Sequence, residues 1–292
     1  VPDKYTDRGK WMDGWESRRK RTPGHDWCII KLGLSGVIKT VDIDTNHFLG
    51  NHPPFASVDG ANAGSEILVD DLANNASLWT EILPKSALNP GSQNIFEIAS
   101  TQRWTHIRLN IYPDGGVARL RVYGNVIPDW SKYKANDPVD LAAVDNGGVV
   151  ISTSDMFFGS GQTMIMPGRA VNMGDGWETK RRRGPGHDWA VIKLGRPGTI
   201  KKIEVDTGHF KGNHPDECSI ERCYIPIGSS VVSLTSPLAH WDALLTKMKL
   251  QPDTRHFYER EIQGIGECTH LRLNIFPDGG VSRLRVWGTL KA

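Results

Sequence analysis

IRLNIYPDGGVARLRVYG, residues 107–124, carries the information that decides the fold. Ile107-Arg108-Leu109-Asn110-Ile111-Tyr112 alternates apolar and polar residues, the period of a half-buried strand. Pro113-Asp114-Gly115-Gly116 follows with the residues of a turn. Val117-Ala118-Arg119-Leu120-Arg121-Val122-Tyr123 then alternates again. The segment predicts a β-hairpin with Ile107, Leu109, Ile111, Leu120 and Val122 in the core. Arg108, Asn110, Arg119 and Arg121 would face the other way.

The same stretch returns as LRLNIFPDGGVSRLRVWG at 271–288, 164 residues on. Two earlier blocks return at a spacing of 162. DGWESRRKRTPGHDW at 13–27 becomes DGWETKRRRGPGHDW at 175–189, identical at 11 of 15 positions. IKLGLSGVIKTVDIDTNHFLGNHP at 30–53 becomes IKLGRPGTIKKIEVDTGHFKGNHP at 192–215. Trp79 and Trp241 keep the 162 spacing, so two residues were gained after them. So long a period indicates a duplicated domain, since solenoid repeats run to roughly 20–50 residues.

The pattern is otherwise short apolar runs cut by Gly, Pro and Asn, such as 27–32 and 37–45 around Gly33 and Gly36. The expected fold is all-β, two tandem jelly-roll β-sandwich modules with few short helices. Residues 1–126 form the first repeat, 127–144 a linker and 145–292 the second repeat. Helical spacing is expected only at 239–249, with a shorter twin at 77–83. Residues 146–169 precede the second copy and only about a dozen residues precede Asp13 in the first, so an N-terminal stretch is expected to be missing.

The chain has 292 residues, 35 basic and 33 acidic, for a net charge of +2. No basic tail points to nucleic acid, and no apolar run reaches the roughly 18 residues of a membrane span. Four cysteines fall at unmatched positions in the two copies. A disulfide framework would have been duplicated with the module, so free thiols and a cytoplasmic location are expected.

Walker A, GxSxG and HExxH patterns are absent. Candidate functional residues are therefore the polar ones kept in both copies. His25-Asp26 and His187-Asp188, with Glu16 and Glu178, offer proton carriers in Gly/Pro-rich loops. His47 and His209 are a second choice. Arg19, Asn51, Arg108 and Asn110, with Arg181, Asn213, Arg272 and Asn274, suit a polar anionic ligand. A competing use is metal binding, with Asp44, His47 and His52, or Asp206, His209 and His214, as ligands for Mn²⁺ or Zn²⁺. A third use is structural, with Arg–carboxylate pairs stapling the loops.

These blocks closely resemble the allantoicase family, in particular its fungal members. The resemblance implies jelly-roll modules akin to galactose-binding sandwiches, a commonly homo-oligomeric protein, and some response to divalent metal. It implies hydrolysis of allantoate, a small-molecule substrate, to ureidoglycolate and urea in allantoin degradation. On that basis Arg19 and Arg108 would grip the substrate carboxylate and Asn51 and Asn110 the ureido groups. His25 backed by Asp26, with Glu16, would supply acid and base. The alternative is a bivalent, non-catalytic jelly-roll protein that binds a carbohydrate or another small polar ligand. Two sites per chain, or two half-sites completed across an interface, both fit the duplication.

Overall fold

The computed structural model describes residues 4–7, 9–64, 66–134, 136–226, 234, 240–264 and 266–290. The chain divides into two compact units, Val1–Ile127 and Pro128–Ala292.

The first unit is built on β1 (Asp26–Asp44), a 19-residue strand. The two apolar runs around Gly33 and Gly36 are its two halves. Its first half pairs with β5 (Trp104–Tyr112), which pairs in turn with β2 (Phe55–Ala61), and β2 with β3 (Thr80–Ala87). Its second half pairs with β4 (Gln93–Glu97) and β6 (Arg119–Val126). The strand therefore passes from one layer of the sandwich to the other, and its register shifts between Lys31 and Gly36. Gly36 is needed there because a Cβ would lie 2.3 Å from the Asn125 carbonyl oxygen. Ile43, Val58, Ile107, Leu109 and Ile111 are among the residues that fill the space between the layers.

The second unit repeats this plan. The strands of its main sheet are β7 (Val139–Asp140), β8 (Val149–Thr153), β9 (Asp188–Asp206), β10 (Glu217–Cys223), β11 (Asp242–Lys249), β12 (Arg255–Tyr258), β13 (Cys268–Phe276) and β14 (Arg283–Leu290). The sheet order is β7-β14-β9-β13-β10-β11, with β8 and β12 also on β9. The end of the 127–144 stretch belongs to this unit, since β7 pairs with β14 and Leu141 and Ala142 are fully buried.

The expected hairpin at 107–124 does not form. β5 and β6 each pair with β1, not with each other. The Pro-Asp-Gly-Gly stretch passes beneath the 44–53 loop, and its glycines serve close packing. A Cβ on Gly116 would sit 2.0 Å from the Phe48 ring, and one on Gly115, whose φ is +142°, 2.6 Å from Pro53 N. Gly280 against Phe210 and Gly279 against Pro215 repeat the arrangement. Leu120 and Val122 pack at the edge of the core, half-buried, while their twins Leu284 and Val286 are fully buried.

The helices expected at 77–83 and 239–249 are strands over most of their length. Ala76–Leu78 is one 3₁₀ turn, then β3 begins at Thr80. β11 covers Asp242–Lys249, and Ala239 lies outside the described residues. Register shifts in the β10–β11 pairing bury Leu244 and Leu245 side by side. A bulged strand that buries neighbours breaks the period of two and imitates helical spacing.

Candidate functional site

Alternation on β5 puts Leu109 and Ile111 in the core and turns Arg108, Asn110 and Tyr112 outward. The register places Trp27, Asn110 and Ser57 in one row across the sheet, and Arg108 and Asp59 in the next. Arg108 donates from Nε and Nη2 to Asp59 Oδ2 at 3.0 and 2.9 Å, and Asn110 Nδ2 donates to the same oxygen at 2.9 Å. The guanidinium also lies 4.8 Å from the centroid of the Trp79 ring.

The second unit carries the same array. Glu221 Oε2 accepts from Arg272 Nε at 2.7 Å and Asn274 Nδ2 at 2.8 Å, and Arg272 lies 4.8 Å from the Trp241 ring. Burial raises the Glu221 pKa, but hydrogen bonds from Arg272 and Asn274 outweigh it, so the carboxyl stays below its usual range. In both units every one of these bonds ends on a single carboxylate oxygen. Among the described residues the other oxygen has no hydrogen-bond donor and can accept from water or a ligand.

His25 and His187 border these faces. Each imidazole packs 4.6 Å from an aromatic ring, Tyr112 or Phe276. His187 Nε2 meets Asn274 Oδ1 at 3.2 Å. In the first unit the equivalent oxygen, Asn110 Oδ1, is buried with no partner among the described residues. His187, Trp189, Glu221, Lys247, Arg272 and Asn274 line a cleft of about 510 Å³.

Asp26 does not back His25. Its carboxyl is bonded by Lys20 at 2.7 Å, and the Lys20 and Ser17 hydrogen bonds hold its pKa low. Asp188 is bonded by Arg182 and by Ser154 at 3.0 Å. The basic loop nevertheless lies beside the histidine. Arg18, Arg19, Lys20, Arg21, His25 and Trp27 line one cavity of about 630 Å³. Asp114 and Asp278 shape the two loops by accepting from Lys20 N at 2.7 Å and Arg182 N at 2.8 Å.

The remaining candidates lie in the loops joining the layers or in short strands and strand ends beside them. Glu16 Oε1 accepts from Asn51 Nδ2 at 2.5 Å, and Glu178 from Asn213 at 2.6 Å, so these pairs close on themselves. His47 lines a different cleft of the first unit, with Asp13, Asp44, Arg119 and Arg121. His209 Nε2 meets the Ala170 carbonyl at 2.9 Å. No group of three His, Cys, Asp or Glu converges to hold a metal among the described residues. Of the expected metal set, Asp44 accepts from Arg121 at 3.0 Å and Asn46 N at 2.8 Å. Asp206 is likewise paired with Arg169 at 2.8 Å. His52 Nδ1 and His214 Nδ1 are buried without partners among the described residues. Arg119–Asp13 and Arg283–Asp175 are loop staples, as the structural reading of the repeated arginines expected.

Sequence reasoning missed Asp59 and Glu221, Ser57 and Ser219, and Lys85 and Lys247. All three pairs keep the 162 spacing, but they lie where the copies otherwise diverge. The four cysteines are free thiols.

An allantoicase repeat model matches residues 1–127 and 139–291. A probable allantoicase of Burkholderia mallei is 52% identical over 290 residues, covering 99% of this chain and 84% of that protein. One of Ralstonia nicotianae is 50% identical over 291 residues, covering 100% and 85%. The crystal structure of allantoicase from Saccharomyces cerevisiae is 42% identical with a TM-score of 0.78, covering 98% of this chain and 84% of that one.

Proposed function

The chain belongs to the allantoicase family, its reaction is hydrolysis of allantoate to ureidoglycolate and urea in purine breakdown, and we propose that the chemistry occurs on the outer sheet face of each unit. Family membership displaces the alternative of a bivalent binder without turnover. The observation that carries the site is the twofold recurrence of one array. A carboxylate is pinned through one oxygen by Arg and Asn, and a histidine stands at the edge of the same face.

The free Asn110 Oδ1 accepts a ureido N–H of the substrate. Asn274 takes the same part once His187 turns from it to the substrate. Arg19 and Arg181, with no ion pair among the described residues, draw the anion toward the face. Urea leaves poorly unless its nitrogen is protonated, so the imidazolium of His25 or His187 gives up its proton as the C–N bond breaks. Water, held by the second carboxylate oxygen of Asp59 or Glu221, forms the new C–O bond. Its proton returns to the imidazole. Glu16, Asn51 and His47, with their twins Glu178, Asn213 and His209, shape the loops in this scheme.

The test is urea release by His25→Asn, His187→Asn and the double variant. Two independent faces predict that each single variant keeps a share of turnover. The double variant would lose on the order of 10²-fold or more. Full turnover in the double variant would overturn the assignment.

We also propose a cytoplasmic homo-oligomer. Free thiols support the location. For the described residues, no helix is long and apolar enough to cross a membrane. Exposed Met156, Phe157 and Phe158 form an apolar cluster suited to contact with another copy.

A further inference from the structure

We infer that Lys85 and Lys247 receive the substrate carboxylate, the part that the family resemblance gives to Arg19 and Arg108 and their twins Arg181 and Arg272; the inference rests on the sheet-face site proposed above. The charge balance of the sheet face itself carries it, since Arg19 and Arg181, also without an ion pair among the described residues, belong to the basic loops beside it. Arg108 and Arg272 are already neutralised by Asp59 and Glu221 at 2.9 and 2.7 Å. Lys20 and Arg182 are spent on Asp26 and Asp188. Lys85 has no carboxylate partner among the described residues. Its ammonium stands over two rings, 4.6 Å from Tyr112 and 5.0 Å from Phe55.

Lys247 repeats the placement, 3.8 Å from the Phe276 ring and inside the cleft with His187, Glu221 and Asn274. Lys247 is in a long ion pair with Glu217 at 3.8 Å, beyond a hydrogen bond, and Glu217 is shared with Lys249 at 3.5 Å, so the ammonium keeps donors for an anion. An ammonium over a ring keeps its three N–H donors and loses little of its charge, so it can still pair with an anion. In each unit the same ring also carries the histidine, at 4.6 Å. Lysine and histidine thus both pack on one aromatic ring. A carboxylate on the lysine leaves the adjacent carbon and its ureido nitrogens facing the imidazole and the asparagine. Lys85 and Lys247 also keep the 162 spacing in a segment where little else does.

The test is steady-state urea release by the full-length Lys85→Gln/Lys247→Gln variant, with inhibition by glyoxylate and by urea measured alongside. A lost charge-assisted contact predicts a KM for allantoate raised on the order of 10-fold to 100-fold, with kcat within a few-fold. Inhibition by glyoxylate, a carboxylate, should weaken in parallel while inhibition by uncharged urea is kept. Lys85→Arg/Lys247→Arg should recover most of the lost affinity, which a merely structural role would not require. Unchanged KM and glyoxylate inhibition in the Gln variant would overturn the inference. So would a fall in kcat alone. If the His25/His187 double variant loses turnover while the lysine variants keep their KM, only the lysine assignment falls. If the histidine variant keeps full turnover, the site itself is wrong and the lysine assignment goes with it.

Discussion

Gly280→Ala should be costly although it adds one methyl group. Gly280 has no positive φ, so alanine brings no backbone strain. The added Cβ would lie 2.0 Å from Phe210 Cε1, 2.1 Å from Cδ1 and 2.5 Å from Cζ. Carbon atoms pack at about 3.5–4 Å, so the ring must retreat by roughly 1.5 Å. Phe210 is fully buried, and a close-packed interior gives the ring little room to move. Overpacking of this kind costs about 3 kcal/mol, the upper end of the usual range. Phe210→Ala costs a similar amount by leaving a cavity. The two together should cost no more than Phe210→Ala alone, because the clash is gone. Guanidinium denaturation of the four proteins of this cycle gives the coupling energy. A Gly280→Ala cost below about 0.5 kcal/mol, or the same cost in both backgrounds, would refute the close-packing explanation. Gly116 against Phe48 at 2.0 Å is an internal replicate.

Three further outcomes are expected. Glu204 is 2% exposed and accepts from Arg255 and Arg169; burial raises its pKa, but these bonds outweigh it and hold it low. Its stabilisation is therefore present above the unfolded value of about 4.3 and is lost as pH falls through the lower folded value. Glu204→Gln should be less stable at pH 7 and should lose less stability on acidification, as read by thermal unfolding from pH 7 to 3. Asn110→Ala/Asn274→Ala should lower kcat/KM for allantoate about 10-fold to 100-fold, because each face loses a substrate contact and a bond to its carboxylate. Dialysis against a chelator should leave urea release unchanged in the acid–base scheme proposed for His25 and His187, which draws on no metal; loss restored by Mn²⁺ or Zn²⁺ would contradict that scheme.

The duplication and the strand alternation made the fold legible. Alternation on 107–112 correctly separated Leu109 and Ile111 from Arg108 and Asn110. The hairpin was misread because a Gly-Gly turn sequence looks the same whether it reverses a strand or slips beneath a phenylalanine. The helices were misread because bulges bury neighbouring residues. For the site, retention in both copies marked His25, Arg108 and Asn110 and their twins. It could not reveal that Asp26 turns to Lys20, because adjacency in sequence says nothing about partners across a loop. Asp59 was hidden by its change to Glu221. The longer side chain still reaches Arg272 and Asn274, so the contact survives where the identity does not.

Kinetics of two double variants test most directly where the substrate sits. His25→Asn/His187→Asn alters the sheet faces, and His47→Asn/His209→Asn alters the loops. Catalysis on the faces predicts that the first loses urea release on the order of 10²-fold or more while the second stays within a few-fold of the parent. The reverse ranking would contradict it and move the reaction to the loop cleft around Asp44 and Arg121.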